Sequence, residues 1–261
     1  MKAPSLIVFT DLDGTLLDHH DYSWAPALPA LSRLRAMQVP VILASSKTAA
    51  EIAPLRSEMR LSACPAIVEN GAGILPPHAD ADQTGDSYAR LRATLDKVPQ
   101  ALRAGFRGFG DLSDDDVARI TGLPGPQAIL ARKRAFSEPG LFDSSREDLD
   151  AFVSCLSDLG VTARRGGRFL TLSFGGTKAD RMDEIAAPYG NPTSIALGDA
   201  PNDVEMLEHA DHGVIITNPD GNDLPRLAGE RDGRIRRSEN TGPTGWNEMI
   251  LRLVSTLTSQ D

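Results

Sequence analysis

The strongest constraint on the fold is an apolar run that ends in two aspartates, within the stretch LIVFTDLDGTL at residues 6–16. Residues 6–9 are continuously apolar, which is typical of a strand buried on both faces of a parallel sheet. Asp11 and Asp13 follow, so we predict that they lie where a central strand gives way to a loop. Open α/β sheets bind ligands at the carboxyl ends of their strands, which makes this loop a candidate site.

The two aspartates favour a bound cation. Two carboxylates at close range repel each other unless a cation lies between them, and a small cluster of hard oxygen ligands suits Mg²⁺. Gly14 lets the backbone turn tightly against a bound group, and the Thr15 hydroxyl can hold the loop by bonding to nearby backbone. We therefore predict a magnesium site at the end of the first strand.

Composition and charge narrow the possible partners. The chain has 261 residues, and its 41% hydrophobic content is enough for a packed core. The 36 acidic and 27 basic residues give a net charge of −9, which disfavours a nucleic-acid-binding surface. No run approaches the roughly 20 apolar residues of a membrane span. Cys64 and Cys155 lie outside any metal-ligand spacing, so we expect small reduced core residues in a cytoplasmic protein.

Strand and helix patterns alternate at both ends of the chain, which predicts an α/β fold with a parallel sheet. Near the start, the pattern predicts strands at residues 40–44 and 66–69, a short hairpin strand at 74–75, and helices at 25–37 and 48–59. Near the end, it predicts helices at residues 178–189, 201–208 and 246–257, and strands at 193–197 and 213–217.

The middle of the chain has a different pattern, which we interpret as a mixed α+β insert. A polar stretch at residues 78–86 is typical of a linker. The segments predicted beyond it are helices at 87–102, 113–121, 126–134 and 146–159, an extended or looped segment at 137–142, and strands at 161–165 and 168–173. Gly166 and Gly167 between the last two strands indicate a hairpin.

Three later stretches place reactive residue types at strand ends or helix starts. Ser45 follows the second strand beside a helix N-terminus, a natural position for a phosphate. Lys178 opens a helix, where the helix dipole disfavours a cation unless the cation reaches an anion. The stretch GDAPND can supply Asp199 as a metal ligand, and its Asn202 and Asp203 can orient ligands or Lys178.

In this order, FTDLDGTL at residues 9–16, Ser45, Lys178 and GDAPND resemble the motifs of the haloacid-dehalogenase-like (HAD) phosphotransferases. The resemblance implies a Rossmann-like, HAD-type parallel-sheet core. It also implies a cap inserted after the third core strand, because the insert lies between Ser45 and Lys178. The expected domains are the core at residues 1–84 and 175–261 and an α+β cap of the C2 type at residues 85–174.

The resemblance also implies roles around a phosphoryl group. Asp11 is the expected nucleophile and Asp13 the expected general acid and base. Mg²⁺ is expected between Asp11, the backbone carbonyl of Asp13, and Asp199. The residues expected to bind the phosphoryl group are Leu12, Ser45, Ser46 and Lys178, while Asn202 and Asp203 are expected to orient the ligands.

Six segments resemble, more narrowly, the mannosyl-3-phosphoglycerate phosphatase family. They are DLDGTLLDHHDYSW at residues 11–24, VILASSKT at 41–48, VENGA at 68–72, FSEP at 136–139, RGGRF at 165–169 and LGDAPND at 197–203. Relatives that act on sugar phosphates usually carry Thr-Gly-Arg where this chain has Ser45, Ser46 and Lys47, a departure that supports the narrower family.

This narrower resemblance implies hydrolysis of the phosphomonoester of a glycosyl-3-phosphoglycerate, from mannosyl-3-phosphoglycerate to mannosylglycerate. Such a substrate carries a carboxylate besides its phosphate, and arginine is suited to grip a carboxylate through two hydrogen bonds. Arg168 is the leading candidate for that contact, and Glu138 a candidate for sugar hydroxyls. The residues expected to contact the substrate are Lys47, Glu69, Asn70, Glu138, Arg165, Gly166, Gly167 and Arg168.

The sequence leaves several alternatives open. A phosphatase of another sugar phosphate, or a phosphomutase, would use the same aspartate pair, whereas a non-catalytic sensor would bind phosphorylated ligands without turnover. The expected partner is a small phosphorylated sugar or glycosyl-phosphoglycerate, with no nucleic acid and no membrane. Still open are the sugar, the choice between monomer and homodimer, the motion of the cap, and the roles of His19 and His20, which we expect in a solvated loop.

Overall fold

The computed structural model describes residues 4–80, 86–221 and 224–259. Its strands are β1 (Leu6–Thr10), β2 (Val41–Ala44), β3 (Ala66–Val68), β4 (Gly73–Leu75), β5 (Phe106–Gly108), β6 (Ser137–Phe142), β7 (Thr162–Gly166), β8 (Phe169–Ser173), β9 (Thr193–Gly198), β10 (His212–Thr217) and β11 (Ile235–Thr241). Its α-helices are α1 (Leu28–Ala36), α2 (Ala49–Glu58), α3 (Ser87–Leu95), α4 (Gln100–Arg103), α5 (Asp114–Thr121), α6 (Gly125–Arg132), α7 (Arg146–Asp158), α8 (Lys178–Ala186), α9 (Val204–His209) and α10 (Gly242–Thr258).

The described residues divide into two compact units. The first contains residues 4–45, 63–67, 177–221 and 224–259. Its strands form a parallel sheet in the order β11–β10–β9–β1–β2–β3. Every residue of β1 and β2 is buried, as the continuous apolar runs require. The predicted α/β fold with a parallel-sheet core is therefore confirmed.

The second unit contains residues 46–62, 68–80 and 86–176. Its antiparallel sheet has the order β5–β6–β8–β7. Leu91 of α3 and Phe152 of α7 belong to the same apolar cluster as Phe106 and Leu172 of the sheet. The unit thus has its own core. The boundary expected between residues 84 and 85 falls in residues 81–85, outside the described residues, so the domain limits stay a prediction.

Several elements differ from the sequence prediction for identifiable reasons. The helix predicted at residues 87–102 is two helices, α3 and α4, because Pro99 caps the second one in an extended conformation and has no N–H to continue the first. Strands β5 and β11 were not predicted. The first is only three residues long, and the second, IRRSENT, is mostly polar and lies at an edge of the sheet. Residues 137–142, predicted as extended or looped, form strand β6.

Several other features named in the sequence can be located in the structure. His19 and His20 are exposed in the loop after β1. Cys64 and Cys155, expected in the core, are only half-buried, and no disulfide joins them. No helix among the described residues is both long enough and apolar enough to cross a bilayer. Of the predicted linker at residues 78–86, residues 81–85 lie outside the described residues, and the cytoplasmic location stays a prediction.

Candidate functional site

The register of the parallel sheet brings three strand ends of the first unit together. Thr10, the last residue of β1, pairs with Leu43 on one side and with Leu197 on the other. Asp11 continues this arrangement, because its backbone N–H donates to the carbonyl of Leu197 at 2.9 Å. Ser45, two residues beyond Leu43, and Asp199, two beyond Leu197, therefore extend from the same edge of the sheet as Asp11.

Lys178 links the two most buried carboxylates of this edge. Its Nζ lies 2.7 Å from Oδ1 of Asp11 and 2.6 Å from Oδ1 of Asp203. The side chain of Lys178 is 1% exposed, although the residue opens helix α8. Thr177 caps that helix by accepting from the N–H of Asp180, so the helix start is set independently of the lysine. Lys178 thus contacts two carboxylates, and its expected contact with a phosphoryl group stays a prediction.

Asp203 also organises the loop that carries Asp199. Its second oxygen accepts from the backbone N–H groups of Asp199 and Ala200, both at 3.1 Å. The residue is fully buried at the end of a short 3-10 helix, whereas Asn202 beside it is exposed. One oxygen of Asp203 thus holds Lys178 and the other holds the Asp199 loop.

Both oxygens of Asp199 accept hydrogen bonds from side chains. The Thr15 hydroxyl donates to Oδ1 at 2.7 Å, and Nδ2 of Asn218 donates to Oδ2 at 2.7 Å. Asn218 was not predicted from the sequence, and Thr15 was predicted only to bond to local backbone. The signal for Asn218 was present, since it is a polar residue directly after predicted strand 213–217, at the carboxyl end of a parallel strand.

Gly14 makes room for this arrangement. Its φ is +76°, which an L side chain rarely adopts. A Cβ placed on Gly14 would lie 2.5 Å from Nδ2 of Asn218 and 2.8 Å from Oδ2 of Asp199. The glycine in the DLDG motif is therefore required both by the turn and by the close approach of the Asn218–Asp199 pair.

The site carries more negative than positive charge. Carboxylate oxygens of Asp11, Asp199 and Asp203 lie within 4.8 Å of one another, and all three residues are buried. Burial raises the pKa of Asp11 well above its ordinary value, opposed by Lys178 and reinforced by the other two carboxylates. Burial also raises the pKa of Asp199, although Asn218 stabilises its charged form. For Lys178, burial lowers the pKa, but the charges of Asp11 and Asp203 outweigh burial and raise it.

Oxygen donors, burial and excess negative charge fit a hard divalent cation such as Mg²⁺. Of the predicted ligands, Asp11 and Asp199 belong to the carboxylate cluster, and Asp203 is its third member. Asp13 is half-buried. Its predicted ligand atom is the backbone carbonyl oxygen, and a cluster of carboxylate oxygens does not test that atom. The ligand set therefore stays a prediction.

The remaining predicted phosphate-binding residues lie at the ends of β1 and β2. Leu12 is fully buried, and Ser45 is buried with its backbone N–H donating to the carbonyl of Ile67 at 3.0 Å. Ser46 is exposed, and Lys47 beside it, a predicted substrate contact, is half-buried; both belong to the second unit. Their roles stay predictions.

Two predicted substrate contacts in the second unit are acidic side chains that accept several internal hydrogen bonds. Glu69 accepts from the backbone N–H groups of Ala135 and Ser137 at 2.8 and 2.7 Å, and pairs with Arg134 at 3.2 Å. These contacts hold the chain where it enters β6. A substrate role for Glu69 stays a prediction, as it does for half-buried Asn70 beside it.

Glu138 is wholly buried and bonded on both oxygens. It accepts from the hydroxyl of Tyr88 at 2.5 Å, from Arg92 at 2.9 Å and from the N–H of Gly110 at 2.8 Å. Burial raises the pKa of Glu138, while the hydrogen bond from Tyr88 opposes that rise. These contacts tie β6 to α3, and a bond to a sugar hydroxyl stays a prediction.

The predicted arginines lie at an exposed hairpin. Arg165, Gly166, Gly167 and Arg168 are all exposed between β7 and β8. The guanidinium of Arg168 lies over the Phe169 ring, 5.5 Å from its centroid. The predicted hairpin is present, and its role in binding substrate stays a prediction.

Solved structures share this fold at low sequence identity. A phosphatase of the haloalkanoate (HAD) superfamily from Bacteroides thetaiotaomicron superposes with a TM-score of 0.68 at 18% identity, covering 95% of this chain and 94% of its own. The sucrose-phosphatase from Synechocystis, solved with sucrose and phosphate, has a TM-score of 0.62 at 16% identity, covering 97% and 98%. A haloacid dehalogenase-like hydrolase from Bacillus subtilis has a TM-score of 0.63 at 19% identity, covering 95% and 99%.

At these identities the structural matches establish the fold alone. A family model for haloacid dehalogenase-like hydrolases matches residues 8–101 and 141–222, more than half of the chain. The matched residues include Asp11, Lys178, Asp199 and Asp203, the buried charges described above. The chain belongs to the haloacid dehalogenase-like hydrolases.

Proposed function

We propose that the protein is a phosphoric monoester hydrolase in which Asp11 is the nucleophile. The observation that carries this proposal is the contact of buried Asp11 with Lys178, beside Asp199 and Asp203. A carboxylate nucleophile attacks one phosphoryl centre and must be fixed in direction, and Lys178 fixes one of its two oxygens. The second oxygen of Asp11 is then the attacking atom.

In the first half-reaction, Asp11 forms a bond to phosphorus as the bond from phosphorus to the ester oxygen breaks. Asp13 donates a proton to the leaving alcohol oxygen. In the second half-reaction, Asp13 accepts a proton from the water that attacks phosphorus, which releases inorganic phosphate and restores the Asp11 carboxylate. Lys178 holds its proton throughout and offsets charge on the phosphoryl oxygens.

Asp11, Asp199 and the backbone carbonyl of Asp13 would hold Mg²⁺, with Asp203 keeping the Asp199 loop in place. When bound, the ion supplies positive charge to the phosphoryl oxygens. Thr15 and Asn218 keep both Asp199 oxygens oriented, as supporting residues do in metal sites.

The N–H of Leu12 supports the assignment of phosphoryl-binding residues. Leu12 is fully buried, and no hydrogen bond of the described residues has its N–H as donor. A buried N–H without an acceptor is rare in folded proteins, and a ligand oxygen is one way to satisfy it. Ser45, Ser46 and Lys178 complete the proposed set.

For the substrate, we extend the proposal to a glycosyl-3-phosphoglycerate, with mannosyl-3-phosphoglycerate first. The support is the set of motifs in the sequence, above all Ser45, Ser46 and Lys47, together with Arg165 and Arg168 on their exposed hairpin. Either guanidinium can grip the glycerate carboxylate through two hydrogen bonds. The sugar-phosphate substrate class also suits the sucrose-phosphatase fold relative.

A substrate panel tests the proposal. The purified protein with Mg²⁺ is offered p-nitrophenyl phosphate, mannosyl- and glucosyl-3-phosphoglycerate, and common sugar phosphates, and inorganic phosphate is measured. Phosphate release that Asp11→Asn lowers by at least about 10³-fold supports the nucleophile assignment. An isomerised sugar phosphate without free phosphate would indicate a phosphomutase, and binding without turnover a sensor.

The substrate assignment has its own control. Arg168→Ala is expected to raise KM for mannosyl-3-phosphoglycerate while leaving KM for p-nitrophenyl phosphate unchanged, because the latter has no carboxylate on a glycerate. Arg146→Ala, an exposed arginine at the start of α7, serves as the matched control. Equal KM values for the glycerate substrate in wild type and Arg168→Ala would reject the contact.

A further inference from the structure

A hydrogen-bonded chain connects the last helix to the backbone of Asp11. Nε1 of Trp246 donates to the Thr10 hydroxyl oxygen at 2.9 Å, and the Thr10 hydroxyl donates to the backbone carbonyl of Asp11 at 2.8 Å. Trp246, Thr10 and their contact are fully buried, so water does not compete for these bonds. Trp246 lies 236 residues from Thr10 in sequence and belongs to none of the motifs described above.

The accepting carbonyl belongs to the peptide group that joins Asp11 to Leu12. A peptide group is planar and trans, so its C=O and its N–H point in opposite directions. Fixing the carbonyl of Asp11 therefore fixes the direction of the N–H of Leu12. That N–H is the buried donor for which the described residues supply no acceptor.

Helix α10 is held in place by packing, so it can fix the position of Trp246. Trp246 lies in its first turns, and Ile250, Leu253 and Val254 further along the same helix are buried in the core of the first unit. The indole ring has few rotatable bonds, so burying it directs Nε1 with little freedom. Thr10 is likewise held by its place at the end of β1, between β2 and β9.

We propose that Trp246 and Thr10 are positioning residues that aim the N–H of Leu12 at a phosphoryl oxygen. The inference rests on the proposed function and adds to it a role for the carboxyl-terminal helix. Neither side chain touches the substrate. Their effect passes through one peptide group, so it acts on the charge that develops on the phosphoryl oxygens and much less on the capture of the substrate.

Thr10→Val tests the hydrogen-bonded chain, because it removes the hydroxyl and keeps the branched shape of the side chain. Initial rates with p-nitrophenyl phosphate and Mg²⁺ give kcat and KM, and orthovanadate gives an inhibition constant for a five-coordinate mimic of the transferred group. We expect about a tenfold fall in kcat and a similar weakening of orthovanadate inhibition, with KM changed less than about threefold. Thr10→Ser keeps the hydroxyl and is expected to restore both.

The double variant distinguishes a single hydrogen-bonded chain from two independent effects of Trp246 and Thr10. Trp246→Phe keeps a ring in the core and removes the first donor, so it is expected to lower kcat in the same direction by a smaller factor. Because both residues act through one bond to Asp11, Thr10→Val with Trp246→Phe is expected to be no worse in kcat than Thr10→Val alone. Val254→Ala, buried in the same helix and remote from Thr10, lowers stability and should leave orthovanadate inhibition unchanged.

The outcomes are distinguishable. If Thr10→Val matches the active wild type in kcat and orthovanadate inhibition, the positioning role is wrong and the proposed function stands. If the falls in kcat of the two single variants multiply in the double variant, the residues do not form one chain. A wild-type protein that neither hydrolyses p-nitrophenyl phosphate nor binds orthovanadate overturns both proposals. Should Thr10→Val fail to fold, Trp246→Phe with its orthovanadate constant decides the question.

Discussion

Lys178 Nζ lies 2.7 Å from a carboxylate oxygen of Asp11 although 167 residues separate them in sequence. The same ammonium bonds to Asp203, so a single buried cation serves two carboxylates. Each of these charges is costly to bury alone, and each is tolerable because the others are present. The same contact therefore contributes to the stability of the first unit and to the position of its candidate nucleophile.

Lys178→Met is expected to cost both stability and activity. It leaves Asp11 and Asp203 buried without their cation, which we expect to lower the free energy of unfolding by about 3–5 kcal/mol. Denaturant unfolding measures this loss. Combining Lys178→Met with Asp203→Asn removes one of the uncompensated buried charges. The double variant should recover part of the stability but none of the activity. Lys97→Met, at an exposed position, is the control, and a loss of similar size there would contradict the account.

Gly14→Ala is expected to disturb the site beyond ordinary backbone strain. Gly122 is a matched control, because its φ of +80° is similar and a Cβ there would meet nothing within 4 Å. Gly122→Ala should cost about 1–2 kcal/mol in stability, the strain of a left-handed alanine, and leave phosphate release unchanged. Gly14→Ala must also displace Asn218 from Asp199, so its kcat should fall at least about tenfold. Equal activity in the two variants would mean that the close approach is unimportant.

Asn218→Ala is expected to weaken the binding of Mg²⁺. The amide holds one oxygen of Asp199, and losing such a supporting contact typically costs about 10–100-fold in metal affinity. Titration of phosphatase activity with Mg²⁺ should therefore give a higher half-saturating concentration, with kcat largely regained at saturation. Asn240→Ala removes an exposed amide that bonds to Glu248 and controls for general effects. An unchanged Mg²⁺ titration in Asn218→Ala would contradict the role of that contact.

From the pKa of Asp111 we predict how the stability of the second unit changes at acid pH. Burial tends to raise its pKa, but hydrogen bonds from Arg92 and Arg103 outweigh burial and lower the pKa from 3.8 to about 2. A depressed carboxyl pKa stabilises the fold above the unfolded value and loses that contribution as pH falls through the folded value. Asp111→Asn should thus be less stable than wild type at pH 6, and the difference should shrink between pH 4 and pH 2. Unfolding midpoints at several pH values measure this, and a constant difference would be inconsistent with it.

The parallel sheet and the placement of its acidic loops could be predicted from the sequence, because continuous apolar runs indicate buried strands. The runs of β1, β2 and β9 are followed by polar residues of the candidate site, which are Asp11, Ser45 and Asp199. Parallel pairing then brings those strand ends together without further information. The helix opened by Lys178 and the GDAPND loop followed from the same reasoning.

The contacts that complete the site could not be predicted, because they depend on three-dimensional neighbours. Asn218 contacts Asp199 across the sheet edge, and Trp246 reaches Thr10 from the far end of the chain. Glu69 and Glu138 have the residue type of a ligand, and only coordinates reveal how many backbone and side-chain donors surround them. The edge strand β11 was missed because a strand with few buried residues lacks the apolar pattern.

The most direct test of the central claim is to trap the phosphorylated nucleophile. Wild-type protein is mixed with p-nitrophenyl phosphate and Mg²⁺, quenched in acid and reduced with borohydride, which converts an aspartyl phosphate to homoserine. Mass spectrometry of the peptide that contains residue 11 is expected to show homoserine there, and the modification should be absent without substrate. Active protein that yields unmodified Asp11, or homoserine at another aspartate, would contradict the account.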